Sequence, residues 1–315
     1  DPARESYYES VNKAATVTGL TKVFGKVNVE NSGEVTMADN GAVGLFVKNN
    51  SIDQVKVAGV YQNVVTNSDD RRDKEDIVGV NKGKITMNGS DSSVGMGANN
   101  GTITNAKNSA TSTGEIYVNG MKSAGMYGTK NSDLINNGRI DVVATSAGNE
   151  SIGMFIDDQD STITNSGTIN VGKHSYGIYG RKVNMTGGLI DVDDDGVGVY
   201  STGPNVSLSA GTINVADNNA VGVYVADEIT KFATTPRTPI NVESGVEMKV
   251  GDTDSFGYLI TATQAKTDLT IKPTTNPVHI GEKSVYVYSQ APQSLGGKII
   301  NKSDIKTDKK NGYGI

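Results

Sequence analysis

The sequence predicts an all-β fold, a right-handed parallel β-helix with three strands per coil and about 21 to 30 residues per coil. Three observations support this fold class. A glycine-centred motif recurs at similar spacing, a motif with strand alternation precedes it, and Asn-Gly-rich turns punctuate the repeat. Between Gly125 and Gly222 the recurring glycines are 28, 24, 21 and 24 residues apart, which is the period of a solenoid.

The glycine-centred motif consists of a small or apolar residue, glycine, an aliphatic residue and usually an aromatic residue. Because the triplets 43/45/47, 152/154/156 and 221/223/225 are aliphatic, we expect them to line the core. The glycines and aromatic residues would then face outward, as an aromatic ladder beside a glycine groove. The ladder would consist of Phe46, Tyr127, Phe155, Tyr179, Tyr200 and Tyr224. It could stabilise adjacent coils or form a contact strip for a glycan or protein.

The other two strands of each coil are also visible in the sequence. One alternates apolar and polar residues directly after a glycine, in the copies that begin at Gly33, Gly83, Gly114, Gly138, Gly167, Gly188 and Gly211. The other is a short run such as 161–164, 182–185 or 205–208. Turns such as Asn165-Ser166-Gly167 use residues that tolerate positive φ. Proline, which removes a donor from a paired strand, occurs only 7 times against 38 glycines.

Along the chain, residues 1–16 do not alternate, and we expect an N-terminal lead-in or capping segment there. Residues 17–315 form the predicted β-helix, which the chain enters over 17–61. Loop insertions are expected near 62–76 and within 227–280, where four of the prolines lie. The beginning of the sequence and its end within a repeat suggest a fragment of a longer protein.

The run 63–76 is the densest in charge and is the first candidate for partner binding. It mixes acidic and basic residues, of which Asp69, Asp70, Arg71, Arg72 and Lys74 are the candidate contact residues. An insertion without a ligand is the alternative interpretation.

Catalytic and metal-binding patterns are scarce. The chain has no cysteine and 2 histidines, so neither a zinc site nor a cysteine nucleophile is predicted, and no cofactor is expected. The pair His174-Ser175 fits a solvated turn. The candidate calcium ligands Asp157, Asp158, Asp193 and Asp194 follow different strands, so we expect them at different corners. They could also be carboxylates of a glycoside hydrolase, or residues of a soluble turn face.

Composition bounds the class of partner. The net charge of −6 is spread along the chain, so nucleic acid is not an expected partner. The sequence has no signal peptide and no apolar stretch of transmembrane length.

The repeats NSGTINV, AGTINV and GRIDV, followed by segments such as YGIYG and VGVY, resemble passenger regions of large type V autotransporter adhesins, most closely those of fusobacteria. The resemblance covers roughly residues 20–315. It implies display on the bacterial cell surface through an outer-membrane β-barrel that this chain lacks. It also implies binding to a host cell-surface protein or glycan, or to another bacterium. No ligand-binding residue carries over, because the matching motifs are structural.

The leading hypothesis is therefore a non-enzymatic adhesin stalk that presents binding loops. A polysaccharide-degrading lyase or glycoside hydrolase is the runner-up. It would require two or three carboxylates, or Asp with Arg or Lys, on one face in neighbouring coils. A structural filament or tailspike module is a third possibility.

Overall fold

A computed structural model describes residues 27–48, 54–57, 60–63, 74, 77–88, 91–107, 113–158, 160–226, 240–261, 268–290, 298–307 and 310–315. The predicted lead-in 1–16 lies outside these residues. The regular elements in the described part are 26 strands, and 24 of them belong to one hydrogen-bonded parallel ladder. The predicted all-β fold of a parallel β-helix with three strands per coil is confirmed.

Each coil adds one strand to each of three faces, which we number in chain order and name face 1, face 2 and face 3. Face 1 contains the strands that follow the glycine turns, together with two later strands in register with them: β2 (Glu34–Met37), β7 (Lys84–Met87), β10 (Glu115–Val118), β13 (Arg139–Val142), β16 (Thr168–Val171), β23 (Val278–Ile280) and β26 (Ile305–Thr307). Face 2 contains the glycine-centred motif, in β3 (Val43–Lys48), β8 (Val94–Asn99), β11 (Ala124–Thr129), β14 (Ile152–Ile156), β19 (Val221–Val225), β21 (Phe256–Ile260) and β24 (Val285–Ser289).

Face 3 completes each coil with β1 (Val27–Asn31), β6 (Ile77–Asn81), β9 (Thr102–Asn105), β12 (Asp133–Asn136), β15 (Thr162–Asn165), β22 (Leu269–Ile271) and β25 (Ile299–Asn301). Three long strands turn corners without interruption. These are β17 (Tyr176–Val192) and β18 (Val197–Val215), which contribute to all three faces, and β20 (Ile240–Val250), which contributes to faces 3 and 1.

The core consists of columns of like side chains, because neighbouring coils pair in register. Ile140 pairs with Ile169 and Met154 with Ile178. The predicted inner column of face 2 is confirmed, since its members have exposed fractions of 0%: Met126, Met154, Ile178, Val199 and Val223. Burying each such side chain stabilises the fold by about 1.5–3 kcal/mol.

The predicted glycine groove is wrong, because the motif glycines face inward. A Cβ on Gly125 would lie 2.7 Å from the carbonyl oxygen of Gly153 and 3.2 Å from the side chain of Ile140. In the register between β11 and β14, Ala124 pairs with Ile152 and Met126 pairs with Met154, and the motif glycines between them are skipped. Strict alternation therefore breaks at this point, and in most copies the residue before the glycine is partly exposed, although Ala124 and Val221 are only 8% and 6% exposed. Val43 is 50% exposed although we expected it in the core.

The coils are also interrupted earlier than expected. We placed residues 17–61 in the coils, but β4 (Gln54–Val57) and β5 (Val60–Asn63) form an antiparallel hairpin apart from the parallel ladder. Two residues separate these strands, and so short a connection permits a hairpin but not the crossover that parallel strands need.

Buried amides at the end of face 3 form a ladder that the sequence interpretation missed. Asn81 donates from Nδ2 to Oδ1 of Asn105 at 2.9 Å, and Asn105 donates to Asn136 at 2.9 Å. Asn31 and Asn165 extend the ladder at its two ends. The four amides from Asn81 to Asn165 are fully buried, so these hydrogen bonds satisfy groups that would otherwise destabilise the core.

Candidate interaction surface

The outward side of face 2 carries two adjoining columns of largely apolar side chains. The aromatic column follows the glycine motif and contains Phe46, Gly97, Tyr127, Phe155, Tyr179, Tyr200, Tyr224, Leu259 and Tyr288. The leading column precedes the motif glycine and contains Val43, Val94, Ala124, Ile152, Tyr176, Val197, Val221, Phe256 and Val285. The bend at each glycine positions the leading column, because it turns the preceding side chain away from the core.

The rings of the aromatic column stack from coil to coil. Tyr127 and Phe155 are parallel within 8° at a centroid distance of 5.5 Å, and Tyr179 and Tyr200 within 13° at 4.7 Å. Phe155 and Tyr179 complete the stack at 5.0 Å. Each such contact stabilises by about 0.5–1.5 kcal/mol beyond area burial. The rings from Tyr127 to Tyr224 are nevertheless only half-buried, so part of each remains accessible to solvent.

The orientation of the rings changes at two places. Tyr224 meets Tyr200 at 82° and a distance of 5.0 Å, and Tyr176 of the leading column meets Tyr200 at 81° and 5.5 Å. These two rings stand perpendicular to the stack. Phe46 is 52% exposed and lies over Gly97, whose added Cβ would be 2.7 Å from that ring. The ring thus covers the outward glycine.

The outward positions of the other two faces are mostly polar. Face 1 presents Glu115, Arg139 and Thr168 in one column. Face 3 presents Asp133, Thr162 and similar residues. Apolar outward columns are therefore a specific property of face 2.

The corner between faces 1 and 2 is acidic over the later coils. We call it the acidic rim, consisting of Asp193, Asp194, Asp195, Asp217, Asp252, Asp254 and Glu282. Asp217 accepts from the main-chain N–H of Asp252, and Asp252 accepts from that of Glu282 at 2.8 Å. Lys173 donates to Asp195 at 3.0 Å. Together with a hydrogen bond from Asn219, this contact lowers the pKa of Asp195 and keeps it ionised.

The residues just before the face-2 strands share an unusual backbone conformation. Lys122, His174, Asp195 and Lys283 all have positive φ, at 53°, 54°, 53° and 58°. A tight left-handed turn therefore precedes these face-2 strands, and His174 belongs to this turn.

The candidate calcium ligands lie at two corners, as expected from their different strands. Asp193 and Asp194 belong to the acidic rim, whereas Asp157 and Asp158 follow β14 at the corner between faces 2 and 3. Burial opposes ionisation of Asp158, but hydrogen bonds from Ser161 and from the N–H groups of Asp160 and Asn131 lower its pKa overall. Among the described residues, no group of three or more His, Cys, Asp or Glu side chains is arranged to hold a metal ion.

Two carboxylates on face 1 have partners in their own coil or in the next coil. Asp141 binds Arg139 at 2.9 Å and accepts from Asn170. Asp191 accepts from Asn214 at 3.2 Å. Asp141 and Asp191 are two levels apart, which is about 9.6 Å, with Asn170 between them. An Asp–Arg pair is thus present here, but neighbouring coils do not bring two carboxylates together at this position.

Of the candidate contact residues in the loop, the structure describes Lys74. Asp69, Asp70, Arg71 and Arg72 lie outside the described residues. Lys74 donates to Asp133 at 2.9 Å, and its main-chain oxygen accepts from the Thr102 hydroxyl. These contacts attach the end of the insertion to face 3.

Two tyrosines near the C-terminal end are core residues. Tyr258 occupies the inner-column position and Tyr286 a motif-glycine position, and each is 1% exposed. Their rings meet at 74° and a centroid distance of 5.5 Å. Burial raises the pKa of Tyr286 to about 12 and that of Tyr258 well above its usual value. The Tyr258 hydroxyl has no hydrogen-bond partner among the described residues.

Sequence reasoning missed Tyr176 and Phe256 as outward aromatic residues, because it assigned their position to the core. The contradiction was visible in the sequence: this position tolerates tyrosine in one copy and phenylalanine in another, whereas the position after the glycine is aliphatic in most copies.

A family model described as BigA third pectate lyase-like domain matches residues 10–186, more than half of the chain. No curated protein and no solved structure matches the chain. No helix with the length and apolar character needed to cross a bilayer occurs in the described part of the chain.

Proposed function

Since the chain belongs to the family of BigA third pectate lyase-like domains, we propose that it is a non-enzymatic β-helical segment of a bacterial surface adhesin. In this proposal the coils form a stalk that carries binding surfaces away from the cell. The partner is a host cell-surface protein or glycan, or the surface of another bacterium. The repeats further favour the passenger region of a type V autotransporter like those of fusobacteria.

The observation that carries this proposal is the distribution of side chains over the three faces. On face 1, Asp141 forms an ion pair with Arg139, and Asp191 accepts a hydrogen bond from Asn214 of the next coil. Face 2 instead carries mostly aromatic and aliphatic side chains on its outward side over nine levels, and most of them are partly exposed. Tyrosine-rich surfaces are favoured in binding, because they combine a large contact area with a hydroxyl group.

The experiment is attachment of beads coated with the 315-residue chain to host epithelial cells and to other bacteria. We expect retention above that of beads coated with the heat-denatured chain. Equal retention of both would contradict an adhesin role for this segment.

A polysaccharide lyase is the second candidate, favoured by the family description and by the Asp141–Arg139 pair. Its test is incubation with polygalacturonate and measurement of new chain ends. The adhesin proposal expects none. Cleavage that is lost in Asp141→Asn and Arg139→Ala, but kept in Asp133→Asn, would replace it with the enzyme.

A further inference from the structure

We propose that face 2 and the acidic rim together bind a basic amphipathic peptide segment of a partner protein, in which Lys or Arg alternates with apolar residues. This inference rests on the proposed function, because it names the class of partner that a binding surface of the adhesin recognises.

The first step is that mutual stabilisation of the coils accounts for only part of face 2. Ring stacking explains outward aromatic residues in the aromatic column. It does not explain the leading column, where Ile152, Val197 and Val285 are only half-buried and adjoin the rings. The two columns together form a continuous apolar strip, and such strips mark interaction sites.

The second step concerns charge. Seven carboxylates form the acidic rim, whereas the described lysines of this corner within one level of it are Lys283 within the rim, Lys173 one level before it and Lys310 one level after it. Asp194 accepts a hydrogen bond from the side-chain amide of Asn218, and Asp217 accepts one from the main-chain N–H of Asp252. Neutral donors fix these carboxylates without neutralising them. The apolar strip therefore has an anionic border that attracts a cationic partner.

The third step is that the rings suit a peptide better than stacked sugars. Neighbouring rings cover both faces of Phe155, with Tyr127 at 5.5 Å and Tyr179 at 5.0 Å, so this part of the column has no open ring face for a sugar. Hydroxyl oxygens accept hydrogen bonds from ammonium and guanidinium groups. The perpendicular rings of Tyr176 and Tyr224 can additionally receive a cation over a ring face.

The fourth step is the fit of an extended peptide. Asp195 precedes Val197 by two residues and Tyr200 by five, so the rim, the leading column and the aromatic column follow one another across face 2. A peptide lying over the leading column directs its cationic side chains toward the rim and its alternating apolar side chains toward the aromatic column. Its side-chain repeat of about 6.6 Å differs from the coil spacing of about 4.8 Å. Binding should therefore require the alternation but not one fixed register.

The test uses the whole chain and a fluorescent peptide of alternating lysine and leucine, about ten residues long and about 33 Å when extended. Fluorescence anisotropy should show saturable binding that weakens with added salt. A glutamate–leucine peptide should not bind, and a lysine–serine peptide should bind at least about fivefold more weakly. Equal binding of the glutamate peptide would overturn the proposal.

Variants locate the site. The double variant Tyr176→Ser with Tyr224→Ser should weaken peptide binding by about fivefold or more. The double variant Asp194→Asn with Asp217→Asn should weaken it by about threefold, and its binding should depend less on salt than that of the parent. The matched controls are Tyr117→Ser on face 1 and Asp304→Asn, which should bind as the parent does. A melting transition at the parent temperature verifies folding of each variant. Equal weakening in the controls would place binding elsewhere.

Other occupants of face 2 give different outcomes. Binding of a neutral oligosaccharide, lost in the tyrosine variants while the lysine peptide does not bind, would make face 2 a glycan surface. Self-association in sedimentation, abolished by the same variants, would identify a second copy of the chain. Cell attachment without peptide binding would contradict this inference but keep the adhesin proposal. Peptide binding without cell attachment would support the peptide site but contradict the adhesin proposal.

Discussion

Val199 and Tyr200 are neighbours whose side chains lie on opposite sides of β18. Val199 is fully buried, whereas Tyr200 is outward and half-buried. Val199→Asp places an unpaired charge in the core and should reduce the free energy of unfolding by several kcal/mol. Tyr200→Ser loses ring contacts and should cost about 1–2 kcal/mol. Urea denaturation of both variants measures the difference, and equal losses would contradict the assigned orientation.

The amide ladder gives a second prediction at the residue scale. Asn136 accepts from Asn105 and donates to Asn165, at 2.9 Å and 2.8 Å. Asn136→Ala leaves buried polar groups without partners on both sides, and should lower the free energy of unfolding by about 2–4 kcal/mol. The control Asn241→Ala, at an exposed position of face 3, should change it by less than about 0.5 kcal/mol. A loss no greater than the control's would show that the ladder contributes little stability.

Tyr286 makes stability sensitive to alkaline pH. Its folded-state pKa of about 12 exceeds the unfolded value of about 10, so the folded state disfavours ionisation. The contribution is complete below pH of about 10 and is lost as pH rises toward about 12, by about 3 kcal/mol in total. Denaturation across this pH range should show a smaller loss in Tyr286→Phe than in the parent. The control Tyr313→Phe, at a position that is 59% exposed, should behave as the parent does.

At the scale of the element, the insertion between β3 and β6 can be separated from the coils. The described contacts of residues 63–76 are the ion pair of Lys74 with Asp133, whose side chains are 21% and 23% exposed, the hydrogen bond from Thr102 to the Lys74 main-chain oxygen, and the end pair Gln54–Asn63 of the hairpin. Deleting residues 63–76 and closing the gap with a Gly-Ser link should therefore cost only about 1 kcal/mol. Asp133→Asn is the matched control for the lost ion pair. Thermal denaturation measures both.

The same deletion tests the candidate loop site. If 63–76 carries the partner contacts, cell attachment should fall in the deletion variant and stay at the parent level in Asp133→Asn. Unchanged attachment of the deletion variant would place binding outside this insertion and leave face 2 as the remaining candidate.

Alternation was enough to predict the strands but not every side-chain direction. In β16 the pattern holds throughout, and Ile169 and Val171 are buried as expected. In face 2 the strand register skips the motif glycine. This irregularity depends on the close approach of a carbonyl group of the next coil, so a single copy of the motif does not reveal it. The amide ladder likewise depends on residues 24 to 31 positions apart. Contacts between coils, rather than within them, are what local sequence patterns could not provide.

At the scale of the whole molecule, the coils behave as interchangeable levels of one stack. Faces 1 and 3 each have ten levels among the described residues, which gives a stack about 43 Å high. Each level contacts mainly the level above and the level below, so stability is close to a sum of neighbouring interfaces. Of the 35 acidic residues, seven form the rim beside the apolar strip over the later coils.

This modularity predicts that one complete coil can be removed. Tyr176 pairs with Ile152 in the preceding coil and with Val197 in the following coil, 21 residues later in the chain. Deleting residues 176–196 joins Ser175 to Val197, so Val197 takes the place of Tyr176 against Ile152. We expect a folded rod one level shorter, with a β-sheet circular dichroism spectrum and a radius of gyration slightly below that of the parent.

The matched control removes a partial coil. Deleting 176–185 removes the face-2 and face-3 segments of β17 but keeps its face-1 segment, so every later strand would meet the wrong partner face. Inward and outward side chains would then no longer stack in columns, and this variant should fail to fold or lose its cooperative melting transition. Unfolding of the complete-coil variant to the same extent would show that the levels are not interchangeable, and that stability depends on contacts specific to this coil.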